Sequence, residues 1–162
     1  MRTRVRRPAP VVSAAIADFL EDPVATPRIA GARRAPAMRD IDVALRAAET
    51  RARSGDWEDA DARTILGLYA WCHRSVYGVA PVELENQAEF RIASRAALRM
   101  LHERFGDDAA RCALFVKWSW KREKDRAAWA TREKKDRNRM GWRMQFSDRQ
   151  LTDFRVATAA RS

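Results

Sequence analysis

Glycine and proline are scarce in this chain: six glycines occur in 162 residues, and five of the six prolines fall before residue 40. Most glycines therefore read as helix stops, and the chain beyond the first 39 residues reads as helix. Cysteine is limited to Cys72 and Cys112, and histidine to His73 and His102. Both cysteines sit in apolar helical patterns, where a free thiol behaves as a small hydrophobe, so they are expected to be reduced core residues. A zinc set built from Cys72, His73, His102 and Cys112 fails on geometry, because adjacent helical residues point about 100° apart. No metal site is expected. No apolar run reaches the roughly 18 to 20 residues that span a bilayer, and the first residues lack the apolar stretch of a secretory signal. The expectation is a cytoplasmic protein without a membrane partner.

Catalytic signatures are missing too. There is no glycine-rich phosphate loop, dinucleotide fingerprint or nucleophile elbow, so neither cofactor nor catalytic residue is assigned. Glu133-Lys134-Lys135 matches a loose nuclease pattern, but it falls on a charged helical stretch rather than on a strand beside a buried aspartate. The protein is read as non-enzymatic.

What the chain does have is positive charge, a net +10. A charge of that size points to a polyanionic partner. It is also unevenly placed: residues 1–39 carry +5, residues 40–110 carry −4 and residues 111–162 carry +9. Of the 32 basic residues 27 are arginine, yet all five lysines (Lys117, Lys121, Lys124, Lys134 and Lys135) lie in one short stretch.

Residues 1–39 read as a basic, proline-rich tail, with one possible helical turn over Val11–Leu20. Residues 40–120 read as a bundle core and 121–162 as a basic extension with a last helix. Ile41, Leu45 and Ala48 mark a first helix that stops at Ser54-Gly55. Acidic residues 56–61 then lead into a second helix, with Ile65, Leu68, Tyr69, Cys72 and Val76 inward, ended by Gly78. A third helix follows Pro81 directly and closes at Phe105-Gly106, and Asp107 is expected to cap a fourth. No Pro or Gly interrupts residues 107–140, so this fourth helix is expected to run their whole length, its second half projecting from the core. Trp142, Met144 and Phe146 suggest a short extended segment. Ser147 with Gln150 resembles a capping box opening a last helix that buries Leu151, Phe154 and Val156. The fold expected is all-α, a small antiparallel bundle with a long basic C-terminal helix.

On a continuous fourth helix Lys117, Lys121, Lys124, Arg132, Lys135 and Arg139 fall within about 80° of one another and extend about 33 Å, with no carboxylate in that sector. Trp118, Trp129 and Met140 recur at spacing eleven and would draw an apolar line beside the cations. Aromatics next to cations suit stacking on bases, with Trp129 and Trp142 as candidates. The expected nucleic-acid-binding set is therefore Arg4, Arg6, Arg7, Lys117, Lys121, Lys124, Trp129, Arg132, Lys135, Arg139, Trp142 and Arg143. Contacts of this kind grip phosphates and give little sequence preference, on DNA or RNA. The third and fourth helices have the outline of a helix-turn-helix, but Asp107 and Asp108 would set two carboxylates where a recognition helix meets phosphate.

A basic tail, short bundle and charged helical extension together resemble small accessory proteins of bacteriophages and mobile elements. The resemblance is one of arrangement, carried by no single motif, and it assigns no residue roles. The expected function is a nucleic-acid-binding accessory protein. Its rival is a helical interaction or structural subunit, a homo-oligomer or the partner of another protein, in which Trp118, Trp129 and Met140 dock a partner helix and the basic end meets the acidic middle of a neighbour.

Overall fold

A computed structural model describes residues 38–135 and 138–161. Nearly all of the tail, with Arg4, Arg6, Arg7 and the turn expected over Val11–Leu20, lies outside the described residues. Among those described there is no strand, and the fold is all-helical. The elements are α1 (Asp40–Ser54), α2 (Ala62–Tyr77), a 3-10 turn (Val82–Glu85), α3 (Gln87–Arg99) continued by a π turn (Met100–Arg104), α4 (Ala109–Arg132), the single turn α5 (Trp142–Gln145) and α6 (Asp148–Ala159). No helix among the described residues is long and apolar enough to cross a membrane.

α2 is the central helix. Asp61 caps its start by accepting the Thr64 N–H at 2.8 Å, and Gly78 ends it at φ +84°, a conformation that costs glycine nothing. Residues from Ile65 to Ala70 are buried without a break, so α2 is covered all round rather than along one stripe. α1 covers one side. There Gly67 packs so close to α1 that a Cβ would lie 2.0 Å from the Ala44 carbonyl oxygen. α4 covers the side that carries Tyr69 and His73, with Trp120 at ring-centroid distances of 5.7 and 5.8 Å from them. Cys72 and Cys112 are buried free thiols, as expected.

Several expectations need correction. The third helix does not follow Pro81 directly: the 3-10 turn intervenes, and Asn86 caps α3 by accepting the Glu89 N–H. Asp107 does not cap α4. It takes φ +66° and faces His102, while Asp108 accepts the Arg111 N–H as the cap.

The largest correction concerns the fourth helix, which stops at Arg132 instead of running to Met140. Lys134 takes a left-handed φ of +54°, its N–H reaches Thr131 O, and the Lys135 N–H closes back to Ala130 O at 2.9 Å. These two bonds satisfy carbonyls that a helix end otherwise leaves open. The cause lies downstream: Met140 and Trp142 are only 2% and 5% exposed, and burying them against the bundle requires the chain to turn back. Nor does the second half of α4 project freely, since Glu123 and Ala130 are buried.

The segment after Gly141 is a helical turn, not an extended one. Trp142, Gln145 and Phe146 are buried at helical spacing while Met144 faces outward. Ser147 accepts the Gln150 N–H and opens α6 as expected. α6 buries Leu151 and Phe154, whereas Val156 is 66% exposed, which corrects its predicted face. Phe154 joins Phe105, Phe115 and Trp118 in an aromatic cluster with centroids 5.5 to 6.3 Å apart. Phe115 and Phe154 are fully buried, which contributes roughly 1.5–3 kcal/mol for each.

Candidate nucleic-acid interface

α4 faces the core through Cys112, Phe115, Val116, Ser119 and Trp120, all buried. Its opposite face carries Lys117, Lys121, Lys124 and Arg132, all exposed. At 100° per residue these four lie within about 80°, and they extend about 22 Å along the axis. No carboxylate enters that sector, although Asp125 borders it. Among the described residues none of the four joins an ion pair. Lys117 Nζ stands 5.5 Å from the Trp57 ring centroid. The expected six-cation stripe is thus a four-cation face, because Lys135 and Arg139 come after the helix has ended.

Those two residues instead border a cleft of about 550 Å³ at the end of α4, lined among others by Tyr77, Thr131, Lys134, Lys135, Asn138 and Arg139. Lys134, Lys135 and Arg139 supply three cations there. Lys135 Nζ lies 5.8 Å from the Trp129 ring centroid, and the Arg139 guanidinium lies 4.9 Å from that of Tyr77. Trp129 is 47% exposed, so it keeps a face for contact.

Tyr77 fixes the back of the cleft. Its hydroxyl donates to the buried Glu123 carboxylate and accepts the Met140 N–H at 2.8 Å. The His73 ring packs edge-on against Tyr77 and donates from Nδ1 to the Val79 carbonyl at 2.7 Å. Burial lowers the His73 pKa, which keeps that ring neutral at neutral pH.

Two of the expected site residues are placed elsewhere. Trp142 is buried, with its indole N–H donating to Glu89 at 3.0 Å, and so has no free face for a base. Arg143 pairs with the same carboxylate at 2.8 Å and lies over the Trp142 ring at 4.2 Å. Together they pull the Glu89 carboxyl below its ordinary range, Arg143 contributing most. The line of Trp118, Trp129 and Met140 is not a surface feature either: Trp118 stacks edge-on with Phe154 and Met140 is buried.

Sequence reasoning missed Tyr77, Lys134 and Asn138 as cleft residues. Lys134 was visible as part of a charge run, but nothing local announced that the helix would end there. Among the described residues no three His, Cys, Asp or Glu side chains gather into a group able to hold a metal ion. Comparison with protein-family models, with curated proteins and with solved structures found no match to this chain.

Proposed function

We propose that the protein is a cytoplasmic, non-enzymatic nucleic-acid-binding accessory protein that grips the phosphate backbone with little sequence preference. The observation that carries this reading is the set of four exposed cations, Lys117, Lys121, Lys124 and Arg132, on one face of α4 with no carboxylate among them. Its length of about 22 Å matches roughly six base pairs of duplex, given one base pair per about 3.4 Å. The cleft beyond supplies Lys134, Lys135 and Arg139, with Trp129 beside them for a base exposed at a frayed end or in a single strand. In this reading the basic tail, through Arg4, Arg6 and Arg7, adds phosphate contacts, and the antiparallel bundle is the scaffold that holds the basic helix rigid.

Fluorescence anisotropy with labelled single-stranded and duplex DNA and RNA at two salt concentrations tests it. Wild type is expected to bind in a salt-sensitive way, and K117E/K121E/K124E/R132E is expected to lose most of that affinity. If all four contact phosphate in a duplex, their loss should flatten the slope of log affinity against log salt by roughly 0.9 per contact. Absence of binding at low salt would overturn the reading and leave a protein partner as the better one.

A further inference from the structure

A second basic surface lies on α3. At 100° per residue Arg91, Arg95 and Arg99 share a sector of about 80° and extend about 12 Å along the axis. All three are exposed, and Ala88, also exposed, is the small residue among them. No carboxylate of α3 enters the sector, since Glu89 is turned toward Trp142 and Arg143. Among the described residues none of the three joins an ion pair.

The ridge continues past the end of α3. Arg104 reaches Asp148 with two hydrogen bonds of 3.0 and 3.3 Å, and Arg155 donates to the Arg104 carbonyl at 2.9 Å. Arg104, with Arg99 and Arg155 nearby, holds the Asp148 carboxyl below its ordinary range. Arg104 is thus matched by Asp148, and the unmatched positive charge of the ridge is that of Arg91, Arg95 and Arg99.

The ridge lies on α3 and the other cationic face on α4, two different helices that α6 links. α6 is tied to α4 by Trp118 against Phe154 at 5.5 Å and by Arg122 to Asp153 at 3.5 Å. Its first turn is tied to the end of α3 by Arg104 and Asp148. The chemistry also differs: the α4 face is mostly lysine and the α3 ridge is all arginine. Guanidinium forks match phosphate oxygens in pairs, which favours a nucleic-acid backbone as the ligand.

We infer that Arg91, Arg95 and Arg99 form a second phosphate-binding face, so that one molecule holds two duplex segments at once. The inference rests on the reading of α4 as the first such face. Both can be read in one sample containing the full chain, a biotinylated duplex on beads and a fluorescent duplex free in solution. Wild type should carry the fluorescent duplex onto the beads. R91E/R95E/R99E should still bind a single duplex in anisotropy, which also reports that it is folded. Its capture of the second duplex should fall about tenfold or more, as loss of roughly three phosphate contacts requires, while R91K/R95K/R99K should retain capture. Undiminished capture by the charge-reversed variant overturns the inference, and bridging through a protein dimer would give that result. Wild type that binds one duplex and captures no second also overturns it, but leaves the α4 reading standing. Wild type that binds neither duplex sinks both.

Discussion

The Tyr77 hydroxyl donates a hydrogen bond to the Glu123 carboxylate, which is only 3% exposed, and so joins the end of α2 to the middle of α4. The same oxygen accepts the Met140 N–H and holds the returning chain. Y77F removes both bonds while keeping the ring beneath Arg139. A hydrogen bond to a buried charge contributes about 1.5–3 kcal/mol, so chemical denaturation should show a loss of that size. A variant as stable as wild type would show that Tyr77 does not anchor the fold at this point.

The two tryptophans expected to stack on bases should separate cleanly. Trp142 is core, and W142A should cost about 3–5 kcal/mol in stability. Trp129 is half exposed and lies beside Lys135, so W129A should change stability by less than about 0.5 kcal/mol. If Trp129 stacks on a base, the same variant should weaken single-strand binding by about 1–3 kcal/mol. Thermal melts and anisotropy on both proteins make the comparison. Equal stability losses would contradict the burial pattern.

Gly67 should not tolerate a methyl group. Its Cβ position overlaps the Ala44 backbone, which cannot rotate away as a side chain could. G67A must push α1 off α2, and overpacking of this kind costs about 1–3 kcal/mol or more. A melting temperature unchanged from wild type would contradict the close approach of the two helices.

His102 gives a pH dependence of defined sign. Its Nδ1 stands 2.9 Å from an Asp107 oxygen, and that hydrogen bond, with the carboxylate's charge, raises its pKa above the ordinary 6.5. The folded state therefore favours the imidazolium. The stabilisation is fully present below the unfolded-state pKa and is lost as pH rises through the higher folded-state value. NMR titration should place His102 above His73, whose pKa burial lowers, and D107N should bring His102 back toward 6.5.

Much of the fold was legible because helix boundaries in this chain are written locally. Gly55 and Gly78 close α1 and α2, and Ser147 opens α6, each as its residue type predicts. The end of α4 was not legible, because no residue near Lys134 is a helix breaker. The stop is imposed by Met140 and Trp142, which must reach the bundle, and that demand is tertiary. The same fact split the expected stripe: Lys117, Lys121, Lys124 and Arg132 remain on one helix, while Lys135 and Arg139 went to the cleft. The ridge of Arg91, Arg95 and Arg99 escaped for a different reason. Its spacing of four was in plain view, but the surrounding segment is net acidic, and a sum over 71 residues hides three arginines on one face.

The position of α2 at the centre bears on how the chain is made. Its apolar surface is covered by α1, which precedes it, and by α3 and α4, which follow. Trp120 comes 43 residues after Tyr77, a stretch that takes about 2–9 s to synthesise at roughly 5–20 residues per second. For that interval the side of α2 bearing Tyr69 and His73 emerges from the ribosome without its partner helix. The packing of α1 on α2, closest where Gly67 meets Ala44, is available throughout that interval, so one side of the central helix is covered while the other still waits for α4.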